Sequence, residues 1–292
     1  MALILAANSG EDTISVLCTE TMKELYRFPL SNGTKPLGLR RMVFEGGLLY
    51  VCASFANAII KADTRGKQTG STMVGKYPTD ICVSEGYLYV CCGECDCIWK
   101  VDIKSFSSVG CMPCGGFPNS ISTYDHSLIV ANVVSANAAI IKTEANGEPV
   151  ILNPQGPCYY AAYSRDTGRV CCSNQCSFEG ESGCVSFFDP EGNLIKRLDA
   201  GIMPGVIRFF DHGKKAAVAD TGGIFIMDCT SMEMEGYFPC SGMIDDIEIC
   251  GDEGLILCSN MEEDCVEAIT FKGKHAGHIK TGREPRGLTI VD

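Results

Sequence analysis

The sequence is short of positive charge, of histidine and of tryptophan: 24 basic residues face 36 acidic ones for a formal net charge of −12, with four histidines and one tryptophan. A surplus of negative charge repels phosphate backbones and anionic lipid surfaces, so neither nucleic acid nor membrane is an expected partner. No apolar run approaches the roughly 20 residues that span a bilayer. The first residues, MALILAA, lack the basic start and the length of a secretory leader. The expectation is a soluble chain in the cytoplasm. Phosphate-cradling glycine loops, the Gly-x-Ser-x-Gly elbow and the His-Glu-x-x-His helix are also missing, which removes the commonest nucleotide, serine-hydrolase and zinc-protease readings.

What is present suits a large core: 46% of the residues are hydrophobic and 21% charged, the balance of a globular protein. The 19 cysteines would suggest a disulfide framework in a short secreted domain. In a chain of this length without a leader they are expected as free thiols.

The sequence repeats itself with a period of about 40 residues, the length of a four-stranded propeller blade. Each unit opens with a Gly-Pro-type turn, at Pro36, Pro78, Pro118, Pro157, Pro204, Met243 and Pro285. The second strand is the clearest, as in Leu48–Ala53, Tyr87–Cys92, Leu128–Asn132, Arg169–Asn174, Ala216–Asp220, Leu255–Asn260 and Leu3–Asn8. Cutting at the turns predicts blades over 36–77, 78–117, 118–156, 157–203, 204–242 and 243–284. The seventh blade is split between 285–292 and 1–35, and no residue is left for a second domain. The predicted fold is therefore all-β: one seven-bladed propeller over 1–292, its ring closed by pairing the C-terminal strand with the N-terminal ones. Such closure removes sheet edges that would invite aggregation.

Tyr50-Val51-Cys52-Ala53, Tyr89-Val90-Cys91-Cys92 and Val130-Ala131-Asn132, with the following strand Ile98–Asp102, resemble the YVTN-type β-propeller repeat family. The resemblance covers essentially the whole chain. It departs in using Cys or Ala where the family favours Thr, and in a fourth blade stretched by CSNQCSFEGESGC. The family is functionally diverse, so the resemblance implies a fold and not an activity.

In a propeller, the loops leading into the innermost strands and those between second and third strands gather on one face around the channel. On that face the sequence places Thr79, Ser120, Tyr159 and Asp245 together with Arg40, Asp80, Asn119, Tyr160, Arg208, Asp246 and Arg286, and the last seven are the candidate ligand-binding residues. Arginines there suit an anionic ligand, or else ion pairs with Asp80 and Asp246. The Asp and Asn residues of this face are oxygen donors of the kind Ca²⁺ or Mg²⁺ takes, although the same residues also satisfy turn backbones. Histidine, the usual acid or base near neutral pH, is not offered at this face: His126 and His212 fall in turns on the opposite side, and His275 and His278 near an outer strand.

Cys52, Cys91, Cys172 and Cys258 are read as occupying one strand position shared with alanines, as small buried apolar residues. Cys92, Cys95, Cys111 and Cys114 instead match a C-x₂-C-x₁₅-C-x₂-C spacing, a candidate zinc site in blade two. Three functions follow: a non-catalytic binding propeller for a protein or small-molecule ligand; a divalent-metal-assisted hydrolase or lactonase at the channel mouth; and a thiolate metal-binding protein.

Overall fold

The computed structural model describes residues 2–31, 33, 35–143, 147–175 and 182–291. These residues form seven antiparallel sheets of four strands arranged in a ring, a seven-bladed β-propeller. The innermost strands are Leu39–Glu45, Pro78–Ser84, Pro118–Tyr124, Cys158–Ser164, Ile207–Phe210, Ile244–Cys250 and Pro285–Val291, in blades one to seven. Residues 176–181, with Cys176 and the acidic end of the blade-four insertion, lie outside the described residues.

Local chemistry explains the strands. The turns joining first to second strands in blades one and two place Gly46-Gly47 and Glu85-Gly86 at positive φ in both central positions, the geometry that matches strand twist in tight hairpins. Second strands such as Leu48–Ala53 and Leu255–Asn260 are buried on both faces, because each blade is packed between two neighbours. This is why they read as continuous apolar runs. Outer strands such as Glu233–Pro239 alternate between exposed and half-buried, as a sheet edge facing solvent requires.

The ring closes through antiparallel pairing of Leu3 with Val291, Ile4 with Ile290, Leu5 with Thr289 and Ala6 with Leu288. One blade thus takes one strand from the C-terminal end and three from the N-terminal end.

The strand register corrects the cysteine alignment. Cys52 and Cys91 stand fifth in their strands with Ala131 and Ala219, whereas Cys172 and Cys258 stand fourth, with Val51, Val90 and Val130. Neighbouring strand positions point to opposite sheet faces, so these thiols pack against different blades. All four are fully buried.

The Asn and Asp residues that end the second strands are structural. Asn174 donates to the carbonyls of Pro154 and Gly156, Asp220 accepts from the amides of Ile202 and Met203, and Asn260 donates to Glu267. In the following turns Asp12, Asn57, Asp96 and Asp264 adopt left-handed φ. Their side chains accept amides at the approach to the next innermost strand, those of Leu37, Tyr77, Phe117 and Glu284.

Candidate functional site

In six of the seven blades the innermost strand opens with a β-bulge, two residues standing opposite one on the second strand. A bulge bends the strand and re-aims side chains. Here it delivers two consecutive residues to the channel mouth from each blade: Arg40–Arg41, Thr79–Asp80, Asn119–Ser120, Tyr159–Tyr160, Asp245–Asp246 and Arg286–Gly287. Most of these line a cavity of about 250 Å³, completed by Gln175, Met203, Thr221 and neighbouring backbone.

Ion pairs organise this cavity. Arg41 Nη1 lies 2.7 Å from Asp245 Oδ2 and 3.3 Å from Asp246 Oδ2, and Arg286 Nη1 lies 3.1 Å from Asp245 Oδ1. Arg208 bridges Asp246, at 3.1 Å, and the Tyr160 hydroxyl. Arg41 belongs to blade one and its carboxylates to blade six, so its side chain passes blade seven. Gly287 makes this approach compatible with the packing: a Cβ there would meet the Arg40 carbonyl oxygen at 2.4 Å. Arg40 differs from the others. Its guanidinium donates to the Tyr77 hydroxyl at 3.0 Å and lies over the Tyr77 ring, with no carboxylate at ion-pair distance among the described residues.

Two of the carboxylates also serve the architecture. Asp80 accepts the amides of Ile81 and, from the next blade, Ile121; Asp246 likewise accepts those of Ile247 and Leu288. Ser120 repeats the interblade contact, accepting the Ala161 amide at 3.2 Å. Burial dominates the titration of Asp80 and pushes its pKa from 3.8 to about 6, against the opposing pull of Arg41 and the two amides. Burial also acts most strongly on Asp245, but Arg41, Arg286 and Arg40 together hold it below the usual carboxylate range. The Tyr160 hydroxyl is pushed up to about 12 by burial, with Arg208 opposing.

The Asp80 shift has a definite sign. The folded state binds this proton more tightly than the unfolded chain, so the group's stabilisation is complete below pH ~4 and is lost as pH rises through about 6. The stability of the protein relative to its Asp80→Asn variant is expected to fall by about 2 kcal/mol between pH 4 and pH 7.5, most of the roughly 3 kcal/mol that the full shift is worth at 1.36 kcal/mol per pKa unit. Urea midpoints for both proteins from pH 4 to pH 7.5 check this, and a pH-independent difference would contradict it.

Of the residues named from the sequence, Arg40, Asn119, Tyr160 and Arg286 line the cavity. Asp80 and Asp246, buried, and Arg208, half-buried, stand beside it as ties between strands and blades. Thr79, Tyr159 and Asp245, which the sequence places on this face without singling them out, also line it; Arg41 was missed, and the missing signal is the bulge. A regular strand sends alternate residues to one face, whereas these strands send neighbours.

A divalent cation at the mouth does not fit these donors, since Asp80, Asp245 and Asp246 are engaged by guanidinium and amide groups. Among the described residues, no three His, Cys, Asp or Glu side chains converge to hold a metal ion. The four cysteines of the candidate zinc spacing, Cys92, Cys95, Cys111 and Cys114, do not come together either. Cys92, Cys97 and Cys111 lie on the sheet face turned toward blade one, as the pairings Cys97–Cys92 and Trp99–Cys111 require. Cys114 lies three residues beyond Cys111, on the opposite face toward blade three, where it packs against the cluster of Cys91, Ile121 and Val130. A C-x-x-C spacing that converges in a loop is split by the two-residue period of a strand.

The described residues contain no helix long and apolar enough to cross a membrane. No family model matches the chain, and no curated protein matches it by sequence. Its fold is shared with many solved structures. A functionally unknown protein from Desulfotomaculum acetoxidans superposes with a TM-score of 0.83 at 13% identity, over 99% of each chain. A candidate 6-phosphogluconolactonase from Bacteroides fragilis gives 0.78 at 14%, over 100% of this chain and 98% of that one. The periplasmic gluconolactonase of Pseudomonas aeruginosa gives 0.75 at 14%, over 100% and 99%.

Proposed function

We propose that the protein is a binding propeller whose channel mouth takes a small polyhydroxylated acid or its phosphate ester. One observation carries the proposal: in a chain of net charge −12, the ionised side chains lining this cavity are Arg40, Arg41 and Arg286 against Asp245 alone. Guanidinium groups recognise carboxylate and phosphate through paired, charge-assisted hydrogen bonds. Arg40, held by a phenol and an aromatic face, keeps donors for an incoming anion. Thr79, Asn119, Gln175 and Tyr159 supply the mixed donors and acceptors that hydroxyl groups need. The YVTN-type assignment and a cytoplasmic setting belong to the same proposal, the latter supported by the 18 free cysteines among the described residues.

A lactone hydrolase at this cavity is the second reading, favoured by the names borne by two of the structural neighbours. Chemistry supports it less. No histidine lines the cavity, and Asp245, held below the ordinary carboxylate range by three arginines, is a weak general base.

Titration calorimetry with gluconate, 6-phosphogluconate and glucose separates these readings when run beside pH-stat measurement of glucono-lactone hydrolysis. The acids are expected to bind and glucose to fail. Arg40→Ala is expected to weaken the acids about tenfold or more, since a hydrogen bond to a charged group contributes roughly 1.5–3 kcal/mol. Lactone turnover above the buffer rate that disappears in Asp245→Asn would replace the binding reading with the hydrolytic one.

A further inference from the structure

On the side of blade two facing blade one lies a second cavity, of about 570 Å³, lined by Val74, Lys76, Cys95, Cys97, Trp99 and Cys111. Two thiols meet in it: Cys95 Sγ lies 3.3 Å from Cys97 Sγ. Their closeness follows from the local fold. Cys95 ends the short helical turn Gly93–Cys95, Asp96 takes left-handed φ, and Cys97 starts the next strand, so the chain doubles back within three residues. Cys95 is exposed and Cys97 half-buried. The indole N–H of Trp99, the sole tryptophan of the chain, is buried on the same side beside Cys97.

We propose that Cys95 and Cys97 form a dithiol site that reacts reversibly with small disulfides. The exposed Cys95, as thiolate, attacks one sulfur of a disulfide RSSR, forming a Cys95–SR mixed disulfide and releasing RS⁻. Cys97 then gives its proton to solvent and attacks the Cys95 sulfur, closing the Cys95–Cys97 disulfide and releasing the second RS⁻. The protein loses two hydrogens and RSSR becomes two RSH, so the small disulfide is the oxidant. The roles follow from access and environment. Burial first, and then the hydrogen bond and charge of Cys95, push the Cys97 thiol up to about 12, which suits it to resolve rather than to initiate. Conversion of Cys95 to a mixed disulfide removes that opposing charge and frees Cys97 to ionise.

This site stands independently of the channel mouth. Its test uses the full-length reduced protein and glutathione disulfide, with alkylation of remaining thiols and cleavage after Glu94 and Lys100, which isolates Cys95–Lys100 with both thiols and Trp99. The expected product is that fragment with an internal disulfide and no glutathionyl group, accompanied by a change in Trp99 emission that dithiothreitol reverses. Cys97→Ser is expected to stop at one glutathionyl group on Cys95, and Cys95→Ser to leave Cys97 unmodified. A disulfide joining this fragment to the one containing Cys111, or an unchanged Trp99 signal with both thiols still alkylated, would overturn the proposal.

Discussion

Asp246→Ala is expected to destabilise the protein by about 3–5 kcal/mol, the range observed when one partner of a buried ion pair is removed. The carboxylate is fully buried and engages four groups: the Arg208 and Arg41 guanidiniums and the amides of Ile247 and Leu288. Its loss leaves the Arg208 guanidinium its hydrogen bonds to the Tyr160 hydroxyl and the Ile207 carbonyl but without its buried carboxylate partner, and leaves two buried amides short of an acceptor. Domains are stable by only about 5–15 kcal/mol, so the loss is a large fraction of the whole. Guanidinium denaturation followed by circular dichroism measures it. A midpoint within error of the parent would mean that water or a neighbouring carboxylate replaces the lost acceptor.

Deleting residues 285–292 is expected to have a still larger effect. The strand Pro285–Val291 supplies the inner edge of its blade, and without it the inner edge of Leu3–Asn8 loses its whole ladder. Asp246 loses the Leu288 amide and Asp245 loses Arg286. Unpaired edges recruit other chains. The expected outcome is therefore loss of the cooperative unfolding transition together with aggregates on size exclusion, partly reversed by adding the missing segment as a synthetic peptide. A monomer that unfolds cooperatively at the parental midpoint would show that the ring holds without this ladder.

The ring and its closure are legible in the sequence because they rest on punctuation: Gly-Pro turns at a regular period and doubly buried second strands that read as apolar runs. The contents of the channel are only half legible. Arg40, Asn119, Tyr159, Tyr160, Asp245 and Arg286 can be found by their place beside the turn, but that Arg41 joins its neighbour Arg40 at the mouth requires knowledge that the strand bulges, and no residue type announces a bulge. The same limit explains the cysteines. Cys172 and Cys258 fall one place out of line with Cys52 and Cys91, and Cys111 and Cys114 look like a pair until the strand turns them to opposite faces. Spacing along a chain becomes spacing in space only once the local backbone period is known.

The bulges have a consequence for how such a protein can change. Because the paired residues stand outside the regular ladder, their side chains project into the channel while the strands on either side keep their register and their apolar contacts. Chemistry at the mouth is therefore written in short dipeptide words, one per bulged blade, that can be exchanged with little disturbance to the scaffold. The exceptions are words such as Asp245–Asp246 in which one letter is also a strut.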